Sequence, residues 1–377
     1  MLVTVRRFGR IIGLVCAALL ALVIAEVCNW HGFEYSLWYT LIASILLCFG
    51  LYKAVADINH DELRRYWRIV LIAVTLGVFL KYLFIFTVAY LATYQWQYAV
   101  LAMVVAQIDP LQVAALNKNK HMGDGAKTYL NAWAALDDPA TTIATPVILS
   151  LASITAGHDL VGNDTWRGTI TPLLVLGLLL LAVAATMLWR RLRGSSKPVR
   201  GRIVLSERTK IILVCAVLSV SAFTGLFGLV VIAGWFIRPA WLTNGRRADF
   251  LLNLALYGAI FLLGLLLAGG VDVRGGIILG LATYLSQIVV AWIVRWVALL
   301  VSQTERAGTR FSRRDTWYLA FSQQNGITAI VLVLNLEPFI PGSVAVVSLA
   351  IVVINIANFG CNSVRGWVMN RRTKEAQ

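Results

Sequence analysis

Residues 275–300, GGIILGLATYLSQIVVAWIVRWVALL, form an apolar run that holds a single charged residue, Arg295. A helix needs about 20 apolar residues to cross the ~30 Å hydrocarbon core of a bilayer, and this run is long enough. Similar runs recur from Arg10 to Asn370 with only short polar breaks. The chain is 59% apolar and 14% charged, against roughly 45–50% and 25% in soluble domains. The sequence therefore predicts an all-α polytopic membrane protein and excludes a soluble enzyme and a transmembrane β-barrel.

Twelve such spans can be placed along the chain, which puts both termini on one side of the membrane. Their boundaries are 9–28, 36–55, 68–91, 95–116, 128–153, 169–192, 209–225, 226–238, 249–271, 275–301, 315–335 and 343–368. That side holds 29 of the 33 Lys and Arg residues, the opposite loops hold Arg167 and Arg274, and the spans hold Lys81 and Arg295. Because cytoplasmic loops carry the excess of Lys and Arg, we expect cytoplasmic termini and a multi-pass protein of the plasma (inner) membrane. This topology accounts for the net charge of +15, so nucleic acid is not an expected partner.

The connections between the spans are short, so residues 1–377 are predicted to form one membrane domain without a soluble domain. The basic start of the chain imitates a signal peptide, but further spans follow it, which favours a retained first helix. The five cysteines show no CxxC spacing and the four histidines never pair at i, i+4, so we expect no resident metal or cofactor. No Ser-His or paired-metal arrangement lies within the spans, and the chain is not expected to be an enzyme.

The fifth span carries the densest polar cluster, NAWAALDDPATTIATP. Asp137 and Asp138 lie about ten residues, or roughly 15 Å, from its cytoplasmic end, close to the membrane midplane. Four polar residues share one face at helical spacing: Asn131, Asp138, Thr142 and Thr145. Pro139 lacks an N–H and frees the carbonyl of Ala135. Such an oxygen-rich patch suits a hard monovalent cation, although an acidic residue capping a helix that starts here is an alternative.

Two spans are interrupted, one in each half of the chain. In the fourth span, Ile108-Asp109-Pro110 separates two apolar halves that are too short to cross alone. In the eleventh, the polar stretch at 322–326, which includes Asn325, does the same. Paired interruptions indicate discontinuous helices whose ends face a midplane site, where Asp109 and Asn325 would compensate the helix dipoles. A simple proline kink is the alternative for the fourth span.

Two basic residues lie inside spans, Lys81 in the third and Arg295 in the tenth. A buried cation needs an anionic partner, and Asp137 and Asp109 are the available ones. Arg295 lies about seven residues from its cytoplasmic end and can instead extend its side chain to the interface. The last span adds a stripe of Asn355, Asn358 and Asn362, a pattern more typical of helix packing than of binding.

The order and spacing of these motifs resemble the monovalent cation:proton antiporter superfamily. The likeness extends over most of residues 37–368 and includes AQIDPLQVAAL, LDDPATTIATPVIL and FSQQNGITAIVLVLNLEP. In that family a broken helix is followed one helix later by an Asn-Asp or Asp-Asp pair. A second broken helix lies near the end of the chain.

The resemblance implies roles for individual residues. Asp138 matches the essential cation- and proton-binding carboxylate, and Asp137 matches the preceding position, which is Asp in the electrogenic branch. Arg295 matches the basic partner of that first Asp, and Asp109 matches the acid of the first break. The sequence departs from the family at Ile108, Asn325 and Pro139. Lys81 matches no family role.

The resemblance also implies a mechanism and an architecture. A monovalent cation, most simply Na⁺, and protons would compete for Asp138 during alternating access. The cation- and proton-binding set is then predicted to be Asp138 and Asp137 together with Thr142 and Asn131, which helical spacing places on the face of Asp138. Inverted repeats would form a moving core at 68–155 and 275–368 against a scaffold at 9–56 and 169–272, which would also make a homodimer contact. No cofactor besides the transported ions is implied. The sequence does not separate Na⁺ from K⁺ or Li⁺.

Two other functions fit the same pattern. A sodium-coupled organic anion symporter of the same fold is favoured if Lys81 and Asn325 face the cavity. A transport-inactive membrane scaffold or sensor is the other alternative, and in that case Asp138 would be dispensable.

Overall fold

The regular structure of the chain is helical in the computed structural model, and the part that is described contains no β-strand. The described residues are 2–30, 32–56, 77–108, 113, 122–156, 206–240, 246–302 and 312–375. Their twelve α-helices are α1 (Leu2–Cys28), α2 (Leu37–Ala56), α3 (Val78–Thr93), α4 (Gln97–Val105), α5 (Asp124–Ala156), α6 (Glu207–Thr224), α7 (Phe227–Phe236), α8 (Arg246–Leu266), α9 (Val273–Ser302), α10 (Arg313–Ala320), α11 (Ile327–Leu336) and α12 (Ser343–Glu375). Short 3₁₀ turns cover Phe33–Tyr35 and Leu267–Gly269. The predicted all-α fold is confirmed.

Four of these helices contain segments long and apolar enough to cross a membrane alone. They are Leu37–Ala56, Phe250–Gly269, Val273–Val297 and Ser343–Ser363. Shorter apolar helical segments lie at Gly13–Cys28, Val78–Thr93, Phe227–Phe236 and Ile327–Leu336. All of them overlap predicted spans. The predicted sixth span, 169–192, and the start of the third, 68–76, lie outside the described residues.

Helices α6 and α7 form a hairpin closed by Gly225, whose φ of 70° lies in the left-handed region that glycine tolerates. Ala240 N donates a hydrogen bond to Glu207 Oε2 at 3.0 Å, so the chain returns to the level where α6 begins. The predicted eighth span, 226–238, is helical only to Phe236, and Ile237 continues in extended backbone. The hydrogen bonds from Lys210 and then Ala240 hold the pKa of Glu207 below its usual range.

Glycines permit close approach of the helices in two pairs. In α9, a Cβ on Gly280 would lie 2.8 Å from Val353 Cβ and 2.9 Å from Ala350 O of α12. In α8, a Cβ on Gly264 would collide with the backbone of Ala18 in α1. Small residues at such contacts let helix backbones approach in membranes, where hydrophobic force between helices is weak. Gly280 therefore permits the close packing of α9 on α12, and Gly264 permits that of α8 on α1.

The helix interruptions are present where the described residues cover them. In the eleventh span, α10 ends at Ala320 and α11 begins at Ile327, so residues 321–326 are non-helical. In the fourth, α4 ends at Val105, and Gln107 and Ile108 are not helical. The next residues, Asp109 and Pro110, lie outside the described part of the chain. Both interruptions lie against α5, and this arrangement positions the site.

Candidate cation-binding site

The carboxylates of Asp137 and Asp138 lie inside α5, a helix of 33 residues that continues through Pro139 and Pro146. Their side chains are 0% and 2% exposed, respectively. Because the helix begins at Asp124, neither acid caps a helix start, and the capping interpretation is wrong. Two adjacent buried acids at this depth are costly unless nearby groups stabilise their charge.

Asp138 receives its hydrogen bond from the second broken helix. The hydroxyl of Thr328 donates to Asp138 Oδ2 at 2.8 Å, and Thr328 is the second residue of α11, directly after the break. The side chain of Thr328 is itself 9% exposed. The start of α11 therefore meets the middle of α5 at Asp138.

Asp137 receives its hydrogen bond from the first break. Ile108 N donates to Asp137 Oδ2 at 2.9 Å, beyond the end of α4. A backbone N–H that has left its helix is thus satisfied by a carboxylate, and the carboxylate gains a charge-assisted hydrogen bond. Each acid of the pair is consequently held by a different interrupted helix.

The threonines that follow the pair differ in what their hydroxyls contact. Thr141 Oγ1 donates to the carbonyls of Asp137 (2.8 Å) and Asp138 (3.1 Å), and Thr145 Oγ1 donates to Thr141 O at 2.7 Å. Thr142 Oγ1 is fully buried and makes no hydrogen bond within the described residues. Thr142 lies one helical turn after Asp138, so its hydroxyl is an oxygen available to an ion bound there.

Neutral side-chain amides of the second break donate hydrogen bonds to backbone carbonyls of the first break. Gln323 Nε2 donates to Gln107 O at 2.8 Å, and Asn325 Nδ2 donates to Val105 O at 3.0 Å. Carbonyls at a helix C-terminus lack partners within the helix and carry partial negative charge. Asn325, which the sequence places at the second break, therefore satisfies the last carbonyl of α4 as a neutral donor.

The asparagine stripe of α12, Asn355, Asn358 and Asn362, donates hydrogen bonds to backbone carbonyls of the second break. Asn358 Nδ2 donates to Phe321 O at 2.7 Å and to Gln323 O at 3.0 Å, and Asn358 Oδ1 accepts from Gln324 Nε2 at 2.6 Å. Asn362 Nδ2 donates to Phe321 O at 3.2 Å. Asn355 Nδ2 reaches Asn325 O at 3.4 Å. The carbonyls freed by the break are thus paired with side-chain amides.

Replacing Asn358 by Leu should destabilise the protein by about 1–3 kcal/mol, since it leaves the buried Gln323 O and the half-buried Gln324 amide without these bonds. Asn362→Leu is the matched control and should cost less, because Phe321 O keeps its shorter bond from Asn358. Melting temperatures of the two purified variants in detergent give the comparison. Equal losses would show that Asn358 is not the central support of the break.

Lys81 and Arg295, the two mid-span cations, lie in different surroundings. Lys81 in α3 is 0% exposed, its Nζ lies 5.9 Å from the centroid of the Trp133 ring, and it interacts electrostatically with Asp137. Lys81 Nζ makes no hydrogen bond within the described residues. Arg295 Cζ instead lies 5.3 Å from the centroid of Trp292. Among the described residues, Lys81 lies within electrostatic range of Asp137 without a direct hydrogen bond to it, and the recorded contact of Arg295 is with Trp292.

The remaining site residues named from the sequence are Asn131 and Asp109. Asn131 is partly buried in α5, two turns before Asp138, and Asp109 lies outside the described residues. Sequence reasoning missed Thr328, Trp133 and the N–H of Ile108. Thr328 alone had a signal, because it is the first hydroxyl residue after the polar interruption.

A buried carboxylate pair between two interrupted helices, in an all-α chain with several membrane-spanning helices, defines a membrane transporter of small ions. Residues 1–360 match the family described as "Sodium/hydrogen exchanger, transmembrane", and the chain belongs to that family. The resemblance to the cation:proton antiporters is confirmed. The family is one of transporters rather than enzymes, and the chain is a multi-pass member that handles cations and protons.

The fold is similar to that of the sodium proton antiporter MjNhaP1 from Methanocaldococcus jannaschii. The two structures superpose with a TM-score of 0.53 over 95% of this chain and 94% of that chain, at 15% sequence identity. At this identity the likeness concerns the fold alone. No curated protein matches the sequence.

Proposed function

We propose that the chain exchanges Na⁺ for protons across the membrane, with both ions competing for Asp138. The observation that supports this most directly is the position of Asp138, which is 2% exposed and accepts a hydrogen bond from Thr328 at the start of the second broken helix. A carboxylate in a low-dielectric interior is costly as a bare charge, so it holds either a proton or a cation. Mutual exclusion at one carboxylate, together with alternating access, is sufficient for antiport.

Oxygen atoms near Asp138 supply the rest of a cation site in this proposal. Thr142 Oγ1 has no hydrogen-bond partner among the described residues, and Thr328 Oγ1 keeps acceptor lone pairs while it donates to Asp138. Asn131, on the same helical face, is the further ligand proposed from the sequence. Hard cations prefer such neutral and anionic oxygens to nitrogen or sulfur.

Asp137 has a different role in this proposal. Its carboxylate is held by Ile108 N and lies within electrostatic reach of Lys81. We infer that Lys81 balances the charge of Asp137, which leaves Asp138 as the acid that exchanges ions. Arg295 and Asp109 are not needed for this balance, although the family resemblance assigns a role to each.

Alternating access is proposed to move residues 68–155 and 275–368 as a core against a scaffold of 9–56 and 169–272. In the described part of the chain, α9 of the core packs on α12, α3 and α10, whereas α1 packs on α8 within the scaffold. We also propose a homodimer, cytoplasmic termini and a plasma (inner) membrane location. The concentration of basic residues on one face of the membrane supports the orientation.

Organic anion symport has less support than antiport. That function requires Lys81 and Asn325 to face a solvated cavity, but Lys81 is 0% exposed and Asn325 donates to Val105 O. Neither side chain is oriented to hold a carboxylate substrate.

The proposal is tested by proton flux in proteoliposomes that contain the full chain and carry an imposed pH gradient. Addition of Na⁺ should dissipate the gradient, and parallel additions of Li⁺ and K⁺ rank the cations. Absence of flux with every cation, from protein shown to be folded and inserted, would overturn antiport.

Thr142→Val should raise the Na⁺ concentration for half-maximal flux about tenfold, because it removes one of the proposed oxygen ligands without changing side-chain shape. Thr145→Val is the matched control. The Thr145 hydroxyl already donates to Thr141 O within the helix, so its loss should leave the half-maximal concentration nearly unchanged. Equal shifts in the two variants would exclude Thr142 as a ligand.

A further inference from the structure

A seam of aromatic and basic side chains lies between α9 and α10 and includes neither carboxylate of the pair. Trp292 of α9 and Trp317 of α10 pack edge to face with ring centroids 5.5 Å apart, and Trp317 stacks on Phe321 at 5.3 Å. Trp317 is 37% exposed. Large aromatic rings that remain open at the edge of a membrane protein are typical of the boundary between headgroups and hydrocarbon.

The two helices run antiparallel along this seam. Gln287 Nε2 of α9 donates to Leu319 O and to Ser322 Oγ, whereas Trp292, further along α9, meets Trp317, earlier in α10. Later residues of α9 therefore lie beside earlier residues of α10. Arg295 lies three residues, or about 4.5 Å, beyond Trp292, and Arg313 lies four residues, or about 6 Å, before Trp317. The backbones of the two arginines consequently lie at nearly the same depth.

Both arginines lack an anionic partner within the described residues. The guanidinium of Arg295 covers Trp292 at 5.3 Å, and its Nε is buried without a hydrogen-bond partner. Arg313 is exposed at the first turn of α10, on the same helical face as Trp317. Asp315, two residues on, points to the other side and accepts hydrogen bonds from Gly123 N at 2.9 Å and Ser312 Oγ at 2.8 Å.

We propose that this seam binds the phosphate of an anionic phospholipid between Arg295 and Arg313, with the acyl chains along Trp317 and Phe321. Basic pockets between membrane helices on the cytoplasmic side are suited to anionic headgroups. Arginine also pairs with phosphate through two parallel N–H donors. The assignment explains why a mid-span arginine lies over a tryptophan and not beside a carboxylate. It does not depend on antiport, because it involves neither Asp138 nor Asp137.

The test is native mass spectrometry of the full chain, delipidated in detergent and titrated with phosphatidylglycerol or phosphatidylcholine. Wild type should bind one phosphatidylglycerol more tightly than phosphatidylcholine. Arg295→Gln and Arg313→Gln should each weaken that binding about fivefold, and the double variant roughly 25-fold. Arg208→Gln, which removes an exposed arginine of α6, is the control and should not change it. Equal loss in Arg208→Gln, or equal affinity of wild type for the two lipids, would overturn the proposal.

A charge-preserving variant and a competition with inorganic phosphate complete the test. Arg295→Lys retains the charge at the seam and should keep most of the affinity, which distinguishes loss of the site from misfolding of Arg295→Gln. A large excess of inorganic phosphate should not displace phosphatidylglycerol, because the acyl chains contribute to binding along the aromatic rings. Full displacement would assign the seam to a free anion and contradict a lipid site.

Discussion

Asp138→Asn should abolish Na⁺-driven proton flux in proteoliposomes, with a loss of about a hundredfold or more relative to wild type. The amide keeps the shape of the side chain and still accepts from Thr328, but it neither releases a proton nor neutralises a buried cation. A cation taken from water into such a site without its anion is destabilised by several kcal/mol, which corresponds to this loss.

The control for Asp138→Asn is Glu26→Gln, which removes an exposed carboxylate from α1. It should transport at the wild-type rate. Both proteins are to be compared at equal incorporation and with a melting temperature close to that of wild type. Na⁺-driven flux that persists in Asp138→Asn would exclude Asp138 as the exchanging acid and direct attention to Asp137.

The helix breaks and the polar face of α5 can be predicted from sequence, because a polar residue inside an apolar span is costly and is recognised against its apolar neighbours. The interruptions predicted at Ile108-Asp109-Pro110 and at 322–326 agree with the end of α4 at Val105 and the non-helical residues 321–326, whereas α5 continues through Pro139 and Pro146. Helical spacing groups Asp138 with Thr142 on one face of α5. The sequence left a capping acid as an alternative, and the start of α5 at Asp124 in the structure excludes it.

The contacts between distant segments could not be obtained in this way. Thr328 and Asp138 are 190 residues apart, and no local pattern states which face of α11 meets α5. Asn358 shows the same limit, since its spacing indicates helix packing while its partners are the carbonyls of the second break. The third and tenth spans each contribute one cation, so composition offers both as partners of Asp137. Only the packing of α3 near Trp133 separates them.

Replacing Lys81 by Met should destabilise the protein by about 3–5 kcal/mol, because it leaves Asp137 as a buried charge supported only by Ile108 N among the described residues. Asp137→Asn should be similarly costly, since Lys81 is 0% exposed and then lacks its anion. The double variant should lose clearly less than the two single losses combined, because it removes both charges together. Reversible unfolding in mixed detergent micelles provides the free energies for this cycle.

The matched cycle replaces Arg295 by Met in place of Lys81. Arg295 packs on Trp292 and interacts with neither carboxylate in the described structure, so its effect and that of Asp137→Asn should add within about 0.5 kcal/mol. The two cycles share one acid and differ only in the basic residue, so misfolding caused by Asp137→Asn alone affects both equally. Coupling confined to Arg295 would restore the partner that the family resemblance implies. Coupling confined to Lys81 would establish that the charge balance of this site is supplied from the third span.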